Sequence, residues 1–262
     1  MSEDRLSSLD RADRLRAADD TALFELLNRN AQSLKAFSRS RSLLGSLWSP
    51  GKVDDSATHA GRLEDRFYSA VARWTHTIES KDAYTGGHCE RVACYASALA
   101  RDVGFGERTV FWFRIGALLH DVGKVVVPSE ILNKPGRLTD EERMVMERHA
   151  AAGAELLSNI EFPWDILPMI RGHHERWDGR GYPDRLAGEA IPLSARIICV
   201  ADVFDALTTD RPYRRGYSRE RALEIMASDR EAAFDPAVFD RFTCLIDDPA
   251  LYEELPSIAA AS

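Results

Sequence analysis

Hydrophobic positions recur every three to four residues along most of the chain, the period of helices that bury one face. Phe67, Val71, Trp74 and Ile78 form one such stripe, and Val92, Tyr95, Leu99 and Val103 form another that Gly104 stops. A strongly apolar helix is predicted through VFWFRIGALLHD, residues 110–121, ending at Gly123. Thr139 stands three before Glu142, a capping-box start for the helix ERMVMERHAAAGAELL. Further helices are predicted near 164–175, 193–209, 218–227 and 236–246, the last opened by Asp235-Pro236. Residues 1–48 also read as helical, with Leu23, Leu27 and Leu34 on one face and Leu6, Leu9 and Leu15 on another. Pro, Gly, Ser and Asp gather in loops at 48–61, at 135–137, in DGRGYPD and in the tail PSIAAAS. VVVP at 125–128 is the one strand candidate.

The fold class this pattern predicts is all-α. A helical bundle is expected over residues 61–247, after an N-terminal helical region with linker at 1–60 and before a tail at 248–262. The N-terminal region is a candidate dimerisation or docking segment, which makes a homodimer one expected assembly.

Composition narrows the function classes. With 262 residues, 45% of them hydrophobic and 29% charged, the chain reads as an ordinary globular protein. Lys+Arg 34 against Asp+Glu 42 gives a net charge of -8, the wrong sign for gripping a long nucleic acid. No apolar run approaches the ~20 residues of a membrane span, and the charged start MSEDRLSSLDRADRLRAADD has no signal-peptide core. Cys89, Cys94, Cys199 and Cys244 make no CxxC pair and no zinc-like spacing, so reduced thiols and a cytoplasmic location are expected.

The chemistry lies in histidines and acids on apolar faces. His88 shares its helix face with Val92, Tyr95 and Leu99, and His149 lies four after Val145. His120 and Asp121 follow GALL, His173 and His174 close the segment carrying Ile166 and Ile170, and Asp202 sits inside IICVADVFDAL. Five histidines and two aspartates turned inward make an expensive core unless a cation compensates them. Imidazole with carboxylate suits Mn, Fe, Co, Ni or Zn. Seven ligands exceed one centre, and a carboxylate between two ions is an arrangement used in phosphoester hydrolysis.

HDVGK at 120–124 resembles the signature of the HD superfamily of metal-dependent phosphohydrolases. HHERWDGRGYP at 173–183, with YTGGHCERV before it and VADVFDALTTDRPYR after it, is similar to the HD-GYP subfamily, and the likeness spans residues 62–246. The resemblance implies a helical HD fold that hydrolyses cyclic di-GMP, a bacterial second messenger, to linear pGpG, with further cleavage to GMP left open. It implies two divalent ions, Fe or Mn first and Ni, Co or Zn as alternatives. One would be held by His88, His120, Asp121 and Asp202, the other by Asp121, His149, His173 and His174, with a shared hydroxide attacking phosphorus.

The same resemblance makes Asp121 and Lys124 catalytic and gives Lys124, Arg211 and Arg214 to the substrate phosphates. Asp205, three after Asp202, is expected to orient a ligand or the lysine. The loop of Asp178, Gly179, Gly181, Tyr182 and Pro183 would support the site and dock partners such as GGDEF-domain cyclases. A cyclic dinucleotide sensor or adaptor, and a hydrolase for another cyclic dinucleotide or nucleotide phosphoester, are the alternatives. Two positions depart from the family: Tyr84 stands where some members have a third-metal Glu, so two ions are expected, and Arg185 stands where Gly is frequent. His59 and His76 match no motif position.

Overall fold

The computed structural model describes residues 68, 69, 71–82, 86–160, 162, 164–210, 214–249 and 251, and they are helical with no strand element among them. Residues 1–60, most of the tail, Tyr84 and Arg211 lie outside the described residues. After a helical run at 71–79, the main elements are α1 (His88–Val103), α2 (Glu107–Leu118), α3 (Ser129–Leu132) and α4 (Asp140–Leu157). Then follow α5 (Leu167–Gly172), α6 (Leu193–Thr208), α7 (Arg219–Ser228), α8 (Arg230–Ala233) and α9 (Pro236–Leu245).

The predicted stripes are the faces that meet. Val71, Trp74, Ile78, Val92, Tyr95 and Leu99 are all buried. α1 packs on α2, α6 and α9, while α4 packs on α5 and on the 3-10 turn Val122–Val126. Tyr95, Phe204 and Phe242 lock α1, α6 and α9 edge to face, with centroids 5.4 Å and 5.1 Å apart for the first and last pairs in that order. α4 starts at the expected capping box: Glu142 N donates to Thr139 Oγ1 at 3.2 Å, and Thr139 N donates to Glu142 Oε2 at 2.7 Å. Asp235 caps α9 by accepting from Ala237 N and Val238 N.

Three sequence expectations are corrected. VVVP is not a strand: Val122–Val126 is a 3-10 turn followed by an extended Val127, and buried Val125 and Val127 flanking exposed Val126 imitate strand alternation. α2 ends at Leu118 rather than at Gly123, because the chain tightens there into i→i−3 bonds, His120 N to Ala117 O and Val122 N to Leu119 O. The helix near 164–175 shortens to α5, so His173 and His174 stand just past a helix end, as His120 and Asp121 do. Both pairs are thereby freed from helical spacing, and neighbours in sequence can face one point.

The helical run at 71–79 and the residues after it tie these ends together. Thr75 Oγ1 donates to Leu118 O at 3.1 Å, closing the end of α2. Glu79 accepts from Gly87 N and Cys89 N, capping α1 where Gly87 offers no side chain. Lys81 Nζ donates to the Val125 and Val127 carbonyls, each at 3.1 Å. Gly123 supplies the last requirement. A Cβ there would lie 1.9 Å from His149 O and 2.5 Å from Gly153 N, so only glycine lets the turn lie on the α4 backbone.

Candidate metal centre

The seven histidines and aspartates singled out by sequence converge. Donor atoms of Asp121, His149, His173 and His174 lie within 4.8 Å of one another, and so do those of His88, His120 and Asp202. Asp121 stands between the two sets. Its Oδ1 is 3.4 Å from His149 Nε2 and 4.0 Å from His173 Nε2. Its Oδ2 is 3.5 Å from His120 Nε2 and 3.9 Å from His88 Nε2. His88 Nε2 also lies 3.2 Å from Asp202 Oδ1.

The imidazoles are aimed by their other nitrogen. His120 Nδ1 faces Ala117 O at 2.6 Å, His149 Nδ1 faces Met146 O at 2.8 Å and His173 Nδ1 faces Ile170 O at 2.7 Å. A carbonyl only accepts, so each Nδ1 carries the proton and each Nε2 presents a lone pair. His88 Nδ1 lies 2.7 Å from Asp205 Oδ2, a contact that orients the His88 ring.

Two observations show that this set fits a cation. His120 Nε2 is buried with no hydrogen-bond partner. His149 Nε2 and His173 Nε2 face each other at 3.3 Å, two acceptors with no proton between them. Protonation does not relieve this. Burial pushes His149 and His173 below the usual imidazole range, and burial with the charge of His149 takes His174 down to about 3. The His88 ring is also pulled down by burial, but its bonds to Asp202 and Asp205 outweigh that and push it up to about 10. Burial works to raise the Asp121 carboxyl, yet Lys124 and the imidazoles hold it well below the carboxylate range.

Lys124 Nζ is 2.8 Å from Asp121 Oδ2 and 3.1 Å from Asp82 Oδ2. Burial works against its charge, but the two carboxylates raise it above the ordinary lysine range, so it stays an ammonium. Arg214 is held by the chain around it. Its guanidinium donates to the carbonyls of Ala206, Leu207 and Arg215 and lies 4.3 Å from the Tyr217 ring centroid. The guanidinium thus caps the Ala206 and Leu207 carbonyls at the end of α6.

The loop after His174 is a buttress. Glu175 is buried and accepts from Asp184 N at 2.7 Å and Leu186 N at 3.0 Å. At Gly181 a Cβ would lie 2.3 Å from Arg176 N and 2.5 Å from His174 O, so the chain doubles back on the ligand pair. Tyr182 N donates to His174 O, and its ring sits 4.8 Å from that of His174. Asp178 N bonds Ala232 O, Asp178 takes the Arg176 fork, Gly179 N bonds Arg176 O, and Pro183 follows Tyr182 through a cis peptide.

Sequence reasoning missed Asp82, Glu79, Arg91 and Glu175, whose partners are remote or sit in loops. It also missed Cys89, whose sulfur falls within ligand range of His120 and Asp121. Burial and the charge of Glu79 push that thiol well above its usual range, which leaves it a poor ligand beside neutral imidazoles.

Comparison with known proteins follows this geometry. A family model described as HD domain matches residues 74–238. The cyclic di-GMP phosphodiesterase response regulator RpfG of Xanthomonas campestris pv. campestris is 42% identical over 181 residues, covering 68% of this chain and 48% of its own. The 3'3'-cGAMP-specific phosphodiesterase 3 of Vibrio cholerae is 40% identical over 179 residues, 68% of this chain and 39% of its own. The chain therefore spans half or less of the length of these relatives. Among solved structures, a cyclic GMP-AMP-specific phosphodiesterase of V. cholerae superposes with a TM-score of 0.54 at 21% identity, covering 72% of this chain and 51% of that one. An HDGYP protein from Bdellovibrio bacteriovorus gives 0.55 at 19%, covering 71% and 64%. Both show the fold.

Proposed function

The chain belongs to the HD domain family, in its HD-GYP branch, and from that premise we propose that it is a metal-dependent phosphodiesterase that hydrolyses cyclic di-GMP to pGpG. The observation that carries this reading is the placement of Asp121, with one carboxylate oxygen toward each of two histidine-rich donor sets. His88, His120, Asp121 and Asp202 would hold one divalent ion, and Asp121, His149, His173 and His174 a second, with Fe or Mn suited to this nitrogen and oxygen set. When bound, such ions supply Lewis-acid charge and lower the pKa of water.

The chain's own groups do the rest. Carbonyl-anchored imidazoles keep their lone pairs fixed on the centre without reorganisation. Lys124 brings a permanent positive charge beside Asp121, where the scissile phosphate would meet the donor sets. Its raised pKa makes it a weak acid, which favours neutralising charge on the phosphoryl oxygens over protonating the leaving 3' oxygen. Arg211 would add a phosphate contact. The cytoplasm is the compartment that goes with this substrate, and a docking role for the loop at 178–183 toward GGDEF-domain cyclases remains part of the reading.

A second substrate has a specific observation behind it. The relatives named for 3'3'-cGAMP are 36% to 40% identical to the chain and those named for cyclic di-GMP 37% to 42%, so identity does not separate the two. Incubating Mn²⁺-loaded protein with equimolar cyclic di-GMP and 3'3'-cGAMP decides it. Faster formation of pGpG supports the proposal, and preferential consumption of cGAMP overturns it.

A further inference from the structure

Arg91 stands three residues after His88 on α1 and is buried. Its Nε donates to Asp205 Oδ1 at 2.6 Å, and its Nη2 donates to Asp205 Oδ2 and Thr209 Oγ1, each at 3.0 Å. Its Nη1 donates to Gly86 O at 3.2 Å. The Asp205 Oδ2 that receives the fork also lies 2.7 Å from His88 Nδ1. A continuous chain of contacts thus runs from the loop before α1, through Arg91 and α6, to the His88 ring.

This anchoring differs in kind from that of the other ligands. His120, His149 and His173 each hold Nδ1 against the carbonyl three residues earlier, a local contact fixed by the backbone. His88 relies on a carboxylate from another helix, and that carboxylate must itself be held. Asp205 is 1% exposed, and without Arg91 only the His88 ring and the Thr209 hydroxyl, at 3.3 Å, would hold its buried carboxylate. A guanidinium fork fixes both of its oxygens, which a lysine ammonium cannot do.

We propose that Arg91 is a positioning residue for one half of the centre. It fixes Asp205, Asp205 fixes the His88 ring, and the affinity of the His88–His120–Asp202 half for its divalent ion follows. The half formed by Asp121, His149, His173 and His174 makes no use of it. The inference rests on the reading of the cluster as a two-ion centre, and its test needs no substrate.

The metal-free full-length chain is titrated with Mn²⁺ alone in a calorimeter, with circular dichroism confirming that each variant is folded. Wild type is expected to bind two ions. Arg91→Gln is expected to weaken one of them by about 10- to 100-fold, the scale of lost outer-sphere contacts, and to leave the other unchanged. Asp205→Asn should weaken the same ion, and adding Arg91→Gln to it should cost nothing further. If Arg91→Gln does not fold, Arg91→Lys carries the test, with a smaller loss confined to one ion. Equal weakening of both ions, unchanged affinity for both, or losses that add between Arg91→Gln and Asp205→Asn would overturn the relay alone. A wild-type chain that binds no Mn²⁺ would overturn it together with the metal centre.

Discussion

Asp121 is the side chain on which both donor sets meet, and removing it tests them together. Asp121→Ala is expected to lose both ions on elemental analysis and to lose turnover, whereas His76→Ala, exposed and outside the cluster, should keep both. Equal damage from the two would break the ligand assignment. Lys124 separates charge from metal binding. Lys124→Met should keep two ions while kcat falls about 10²- to 10³-fold, the usual loss of one preorganised electrostatic contact. At this scale the seven clustered side chains were legible, because each combines an inward helical position or a helix end with a residue too polar to be buried alone. Asp205 was read as a support from its place three after Asp202, but its partner Arg91 and the Lys124 partner Asp82 were not. Arg91 and Asp205 are 114 residues apart in sequence, and Lys124 and Asp82 are 42 apart. No periodicity reports a partner at that distance.

Among elements, the helices with strong stripes and caps were legible: α1 stops where Gly104 stops it, and α4 starts at its capping box. The ends that carry the HD and HH pairs were not. Apolar periodicity continues through His120 while the backbone has already tightened into i→i−3 turns. Two backbone positions turn this into expected outcomes. Gly123→Ala forces a methyl against the α4 backbone and should cost about 1–3 kcal/mol or more, read as a fall of several degrees in Tm. Arg185 adopts φ 55°, the left-handed region that disfavours side chains, which gives a reason for the glycine frequent there in the family. Arg185→Gly should therefore raise stability by about 0.5–1 kcal/mol once glycine's entropy is counted, a rise in Tm of a few degrees at most. A fall would contradict the backbone assignment.

For the whole molecule, the net charge of -8 argued against a long polyanion and says little about a small one. Residues 171–219 hold nine Arg/Lys and seven Asp/Glu, a local balance of +2 within an acidic protein. No helix among the described residues is long and apolar enough to cross a membrane. The bundle was legible because helical stripes fix which faces meet. How its helix ends are tied through Thr75, Glu79 and Lys81 emerges only once the chain is folded. Protein purified without oxygen, analysed for metal and given cyclic di-GMP is the most direct test of a two-ion phosphodiesterase. Two Fe or Mn ions per chain and pGpG as product are expected. Three ions per chain would contradict the two-ion centre, and a fully loaded protein that leaves cyclic di-GMP intact would contradict the activity itself.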